Sequence, residues 1–546
     1  MKTIPVRYRA AVTLVILVAL SCSAPPDAEE PQLGSLDFPT SSSGEAQEHF
    51  IQGMLLLHSF EFDDAREAFV EAQQVEPNFA MAYWGEALTH NHLLWSEQDS
   101  VQAREAMERL GATPEDRVAK ALTEREKDYV RTLDALYGEG SKRERDIAYR
   151  DAMLRLAAKY PDDLEAASLS AVATLATSYD GRDYRTYMRA ASIVEEVFAK
   201  NPNHPGAAHY LIHSYDDPVH APLGLRAARV YAKIAPAATH ALHMPSHIFT
   251  SMGMWDEVVA SNIDSWAASD ARVKRKDLSV DERSYHALWW LEYGYLQQGR
   301  YQDARDQLAI MEADTAATGS EKTRSHLVDM RAHYLIESQR WDTESIEVDT
   351  SDLGTSAVVT DLFTRGLTTV RAGAAADAKP LLAELRHTIQ KKQRKNDKPG
   401  HEHTCDPKAL LPYMRTAHIL ALELEAAIDL AEGRAEKAVE QLNEATELED
   451  TLSLSYGPPD PVKPSHELFG EVLLELNRPE EAAEQFEKAL DRAPRRALSL
   501  LGLARAQVQS GNQTAADQTY ADLSQVWHNA DPDLPEGREA RQGAKD

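Results

Sequence analysis

Cysteine is nearly absent from this chain of 546 residues: only Cys22 and Cys405 occur. If Cys22 carries a lipid, no intramolecular disulfide can form, and the fold stands on apolar burial alone. Basic charge is also short. Against 88 Asp and Glu there are 58 Lys and Arg, a formal net charge of −30. Phosphate contacts need Lys and Arg, so this composition excludes nucleic acid held through a general basic field. The acidic excess promotes solubility instead. Beyond the N-terminus no apolar run approaches the ~20 residues that span a bilayer. No stretch of useful length alternates apolar and polar residues in the manner of a strand. A phosphate loop, a dinucleotide fingerprint, a nucleophile elbow and an H-E-x-x-H pair are all missing as motifs.

What is present begins with a targeting segment, residues 1–22. Lys2, Arg7 and Arg9 precede the apolar run Ala10–Leu20, broken only by Thr13. That run is too short to span a bilayer and suits a signal-peptide core. Ala19-Leu20-Ser21-Cys22 resembles a degenerate bacterial lipobox, with Ala where Leu is usual. The resemblance implies cleavage before Cys22 and a lipid on its thiol. Ordinary secretory cleavage after a small residue is the competing reading. Ser23, rather than Asp, points to the outer membrane, on its periplasmic side or at the cell surface. Losing three basic residues with the signal moves the net charge from −30 to −33. Residues 23–44 are rich in Pro, Ser, Ala and acidic residues, and are expected to form a disordered tether.

The body of the chain repeats. Gly53, Ala65, Phe69, Ala72 and Pro77 fall in one unit; Gly470, Ala482, Phe486, Ala489 and Pro494 hold matching places in Lys463–Arg496. Ala497 opens a further copy 34 residues after Lys463. Turns such as Gly253-Met254-Trp255-Asp256 and Gly299-Arg300-Tyr301-Gln302 each lead into a second helix. One helical hairpin cannot cover its own apolar face, but stacked copies bury a continuous core. The period and the small–aromatic–small pattern resemble the tetratricopeptide-repeat superfamily. Phe79–Ala87, His240–Phe249 and Gly457–Pro464 further resemble bacterial tetratricopeptide lipoproteins. The resemblance covers most of the mature chain and implies an all-α superhelical solenoid of about ten hairpins. Expected boundaries are one array over 45–400, a second over 401–526, and a disordered tail over 527–546. The charged stretch 391–406 lies between the arrays.

Within Pro205–Ser265 the histidines fall in register. His209 and His213 form one H-x-x-x-H pair, and His243 and His247 form another, 34 residues on. Residues four apart share a helix face. By family resemblance, repeat positions 2, 5, 9, 12 and 13 line the concave groove. Counting from Pro205, His209, His213, Asp216 and Asp217 take positions 5, 9, 12 and 13. Counting from Thr239, His240, His243 and His247 take positions 2, 5 and 9. Trp289 and Tyr293 hold positions 5 and 9 of the next repeat, with His326 and His333 at 2 and 9 beyond it.

Three readings compete. Imidazoles at this spacing suit Zn, Cu, Ni or Fe, with His209, His213, His243 and His247 as ligands and an open position for water. Alternatively the groove takes a peptide, a protein segment or a small ligand without metal. The third reading is polar packing. Pro245 argues against the second pair, because proline disrupts a helix interior. The leading expectation is a binding or scaffold protein at the cell envelope, anchored to the membrane through Cys22 and meeting a protein or peptide partner. The alternative is a metal-dependent, hydrolytic enzyme. His401, His403 and Cys405 form a weaker H-x-H-x-C candidate. His90 and His92 are expected to cap or to face solvent; His220 falls in a turn between helices, and reaching the cluster is the lesser of its readings. Gly457–Pro464 reads as a stiff strut, or else as a lid with Lys463 and Glu467 pointing inward.

Overall fold

Small residues set the packing of the helical hairpins. Gly53 and Gly85, on the first helices of consecutive hairpins, clamp the ring of Phe69 between them; a Cβ on either would stand 2.6 or 2.4 Å from it. Gly470 and Gly502 hold Phe486 in the same way, with 2.7 and 2.2 Å. The aromatic of each second helix thus keys two neighbouring first helices together, which explains the sequence period.

The computed structural model describes residues 32–544 apart from 180, 345, 397–410 and 455. Successive hairpins run from Glu45–His58 with Phe62–Val75 to Ala497–Gln509 with Gln513–Val526. Three matter most below. They pair Leu164–Leu175 with Tyr184–Lys200, Pro205–Tyr215 with Ala221–Ile234, and Tyr285–Gln297 with Tyr301–Thr318. Between the last two lies a hairpin whose first helix is split into Thr239–His243 and Pro245–Ser251, followed by the long helix Trp255–Lys276. Among the described residues the only strands are Asn91–His92 and Glu97–Gln98, paired antiparallel. The fold is an all-α superhelical repeat array, as expected.

Three boundaries differ from expectation. The tether was expected to reach Gly44, yet Leu33 and Phe38 are buried. Phe38 packs against Phe50 and Tyr129 at 5.2 and 5.1 Å, and Arg125 lies 4.4 Å over its ring. Two apolar anchors outweigh the polar composition around them. The tail is ordered too: Trp527 is buried, its Nε1–H donates to Gln297 O at 3.1 Å, and Pro535–Gly543 is a helix. It caps the last repeat, with Leu534 and Ala540 buried. Nor do the described residues part near 400; residues 32–546 make one compact unit. The signal segment, Cys22, and the His401–Cys405 motif lie outside the described residues.

The array also closes on itself. Trp255 Nε1–H donates to Arg495 O at 3.0 Å, and Asp531 N–H to Gly299 O at 3.0 Å. Arg496, fully buried, donates to Tyr293 Oη at 2.9 Å and to Glu467 at 2.7 Å. The last repeats therefore seat against the central helices.

Candidate metal centre

Six imidazoles gather on the first helices of three consecutive hairpins, in two sets of three. In the first, His209 Nε2 lies 3.1 Å from His213 Nε2 and 3.2 Å from His240 Nε2. In the second, His243 Nε2 lies 3.1 Å from His247 Nε2. His286 completes that set, its ring centroid 4.6 Å from that of His243. In each set one nitrogen from every ring falls within 4.8 Å of the other two. Metal–nitrogen bonds of 2.0–2.1 Å to atoms 3.1 Å apart subtend about 100°, near the angle of three facial ligands.

The far nitrogens fix the tautomers. His209 Nδ1–H donates to His58 O at 2.7 Å. His247 Nδ1–H donates to Asp216 Oδ2 at 2.6 Å, and Asp216 Oδ1 also accepts from Ser251 Oγ at 3.1 Å. His243 Nδ1–H donates to Asn262 Oδ1 at 2.6 Å; Asn262 spends its own amide N–H on Val258 O, at 2.8 Å, so its oxygen must be the acceptor. Each of these hydrogen bonds turns an Nε2 lone pair inward, the arrangement seen behind metal-ligating histidines. Burial, and after it the neighbouring imidazoles, hold His209, His213, His240 and His243 well below the usual histidine range. The same causes push His286 down to about 3. Neutral imidazole is the form that binds metal.

A third triple makes the contrast. His58 and His204 both donate Nε2–H to buried Glu165, at 2.6 and 2.9 Å. His58 Nδ1 accepts from Tyr210 Oη at 2.9 Å, and His204 Nδ1 from Ala207 N–H at 3.2 Å. Every nitrogen here has a partner of the right polarity. This triple ties three helices together and leaves no lone pair for a metal.

The split first helix explains the second set. Pro245 opens a new helix segment, and Met244 between the two stays helical at φ −54, ψ −34. His247 N–H then bonds to Met244 O at 3.2 Å. The kink therefore leaves His243 and His247 on one face, contrary to the objection raised from Pro245.

The two sets share a cavity of about 190 Å³, lined by His213, His240, His247 and His286 with Trp95, Tyr187 and Tyr456. The Tyr187 and Tyr456 hydroxyls are 2.8 Å apart, and Arg182 lies 4.2 Å over the Tyr187 ring. Trp290 packs on His247 at 4.4 Å and on His243 at 4.9 Å.

Several expected site residues fall elsewhere. Asp217 points away, pairing with Arg182 at 3.2 Å and His220 at 2.9 Å, so His220 does not join the imidazoles. Asp216 stands behind His247 and is no groove wall. Tyr293 belongs to the buried Arg496 network, because its hydroxyl accepts from that guanidinium. Trp289 and His333 pack together at 5.5 Å, outside both sets. Lys463 is buried against Glu467 and Glu471 at 2.8 and 2.6 Å, so the Gly457–Pro464 segment presents no lysine to the cavity. The residue before the segment, Tyr456, lines the cavity, and Gly457 presses on the Trp290 ring, where its φ of 96° and that closeness exclude a side chain. His90 caps its helix as expected, while His92 stacks on Phe62 at 4.1 Å.

The imidazole that sequence reasoning missed is His286. It follows Tyr285, position 1 of its repeat, and so occupies position 2, as His240 does. The register that found His240 also pointed to it. Asn262, on a second helix, had no such signal.

Residues 464–496 match the family model described as tetratricopeptide repeat. No curated protein matches. Among solved structures, the crystal structure of yeast Tom70 is 12% identical, over 91% of this chain and 94% of that one, with a TM-score of 0.27. The human IFIT1 dimer with m7Gppp-AAAA is 12% identical, over 93% of this chain and 92% of that one, with a TM-score of 0.33. These values carry no inference about what the chain does. The fold itself is a helical-repeat scaffold of tetratricopeptide type.

Proposed function

We propose that this protein binds transition-metal ions within a helical-repeat scaffold, one at His209, His213 and His240 and one at His243, His247 and His286. The observation that carries the reading is the His243–His247 pair. Their Nε2 atoms stand 3.1 Å apart while both Nδ1–H groups are committed to acceptors. Two buried lone pairs set face to face repel each other, and a metal ion between them would turn that repulsion into ligation. Three imidazoles suit Zn, Cu, Ni or Fe, whereas Mg and Ca call for oxygen ligands. Each set has three protein ligands and faces a cavity, the pattern of sites that keep an open position.

Hydrolysis is the weaker use of such a centre. No acidic side chain is among the cavity's described lining residues, and Asp216 is already engaged by His247 and Ser251. A bound water would lack a carboxylate base. Binding of the ions, with whatever small ligand enters the cavity, is the function this geometry supports best; docking of a protein partner on the outer repeats is compatible with it. Elemental analysis of chain purified without metal-affinity tags, then titrated with Zn or Cu, tests the reading. It predicts about two ions per chain, falling to about one in His209→Ala or His243→Ala. A folded wild type that takes up no metal refutes it.

The proposal includes export and lipid anchoring at Cys22 on the bacterial outer membrane, supported by the apolar run Ala10–Leu20 and the following Ser21-Cys22. Labelling with a radioactive fatty acid should mark the wild type and spare Cys22→Ala. Equal labelling of both removes the anchor.

A further inference from the structure

We infer that the two histidine sets form one dinuclear copper centre, which binds dioxygen between two Cu(I) ions in the cavity they share. This rests on the metal-binding reading above and adds to it the metal, the pairing and the ligand.

The donor set points to the metal. All six candidate ligand atoms are imidazole nitrogens, and Asp216 and Asn262 sit one shell further out. Carboxylate-seeking ions such as Mn and Mg lose their preferred donors here. Among divalent ions copper stands highest in affinity for a given nitrogen site. Cu(I), softer and content with three ligands, needs nothing beyond the three imidazoles. Zinc in a three-histidine set still requires a fourth ligand.

The packing points to pairing. Ring centroids within the sets are 4.6–5.0 Å apart for His209–His213, His209–His240, His243–His247 and His243–His286. Across the sets the spacing is hardly larger, 5.6 Å for His213–His247 and 5.9 Å for His240–His243. The rings thus form a continuous cluster. Repeat stacking makes this unavoidable, because positions 5 and 9 of one repeat meet position 2 of the next. Two cations this close, with no protein carboxylate between them, need an exogenous anion to bridge them. The cavity of about 190 Å³, with Leu93, Leu94 and Leu175 in its wall, admits a small apolar molecule such as O₂.

The step balances without a proton. Each Cu(I) gives one electron, the O–O bond order falls from two to one, and peroxide is held between two Cu(II) ions. Release of O₂ reverses it.

The test uses the full mature chain, stripped with chelator and loaded anaerobically with Cu(I). After exposure to O₂, about two coppers per chain should be electron-paramagnetically silent through coupling. Acid quench should release about one peroxide per copper pair, and X-ray absorption should show a Cu–Cu vector near about 4 Å or less. His286→Ala and, separately, His240→Ala should each hold about one copper, give a visible Cu(II) signal after oxidation and release no peroxide, with helical circular dichroism retained. Two coppers with a full uncoupled signal and no peroxide overturn this inference and leave the metal-binding reading standing. Absence of any tight metal uptake overturns both.

Discussion

Replacing Asp216 with Asn tests the link between architecture and metal affinity most directly. The carboxylate is fully buried, accepts from His247 Nδ1–H at 2.6 Å, and accepts from Ser251 Oγ at 3.1 Å. Asn keeps the shape. Its amide oxygen can still face His247, and its amide N–H₂ can donate to the serine hydroxyl. What is lost is the charge. A hydrogen bond to a charged group contributes about 1.5–3 kcal/mol net and a neutral one about 0.5–1.5 kcal/mol. The difference of about 1–1.5 kcal/mol corresponds to roughly tenfold in binding. That lies at the lower edge of the 10- to 100-fold range for losing an outer-shell partner. Asp216→Leu, which removes the acceptor outright, should approach the upper edge. Competition against a chromophoric chelator measures both, and a His209→Ala background isolates the second set. The first set, whose orienting partner is His58 O, should change by less than about twofold. Equal weakening of both sets, or no change in the second, would refute the assignment of Asp216 as the group that aims His247.

Further outcomes follow from the same geometry. The depressed histidines bind fewer protons in the folded chain than in the unfolded one, so metal-free stability is complete above about pH 6.5 and falls as pH drops from there toward the folded values. For His286, held down to about 3, the loss by pH 5 is about 2 kcal/mol, read as a lower urea midpoint that bound metal restores. Glu165→Gln should cost about 3–5 kcal/mol, since one of His58 and His204 loses its acceptor in a fully buried site, yet metal content should stay at about two ions. A drop in metal content in the folded variant would make that triple a metal site after all. Gly457→Ala places a Cβ 2.1 Å from the Trp290 ring at a φ of 96° and should cost about 2–4 kcal/mol. Because Trp290 packs on His247, the second set should weaken more than the first in the same titration.

The fold was legible because its cause is local. Gly53, Phe69 and Gly85 announce a clamp that the structure builds, and Gly470, Phe486 and Gly502 repeat it. Where composition was read without its anchors, the reading failed: residues 32–44 look like a tether until Leu33 and Phe38 are placed in the core. The histidine register was legible in part. Period and helix face put His209, His213, His240, His243 and His247 together correctly. They did not show that the rings would gather as two sets of three rather than one of four. That division depends on how far each helix advances into the next, which no single-repeat pattern contains. Tyr293 and His333 share the register yet lie elsewhere, because Arg496 returns from a distant repeat and takes the Tyr293 hydroxyl. Asp217 was lost for a similar reason, captured by Arg182.

The count of two histidine sets follows from where the pattern stops. A site of this kind needs ligands at positions 5 and 9 of one repeat and at position 2 of the next. Upstream, the helix Leu164–Leu175 offers Ser168 and Val172 at positions 5 and 9, and position 2 of the following helix is Gly206. Downstream, Trp289 and Tyr293 occupy positions 5 and 9. Three consecutive repeats therefore carry the six imidazoles, and the middle one, Thr239–Ser251, contributes to both sets. Its Pro245 kink lies between His243 and His247, and His240 reaches back to His209 from the same helix pair. Any change in the angle at Pro245 moves imidazoles of both sets at once. A solenoid with independent sites would tolerate Pro245→Ala at one site alone. Here, straightening that helix should alter both binding steps together, and a titration in which only one step moves would show that the two sets are not mechanically joined.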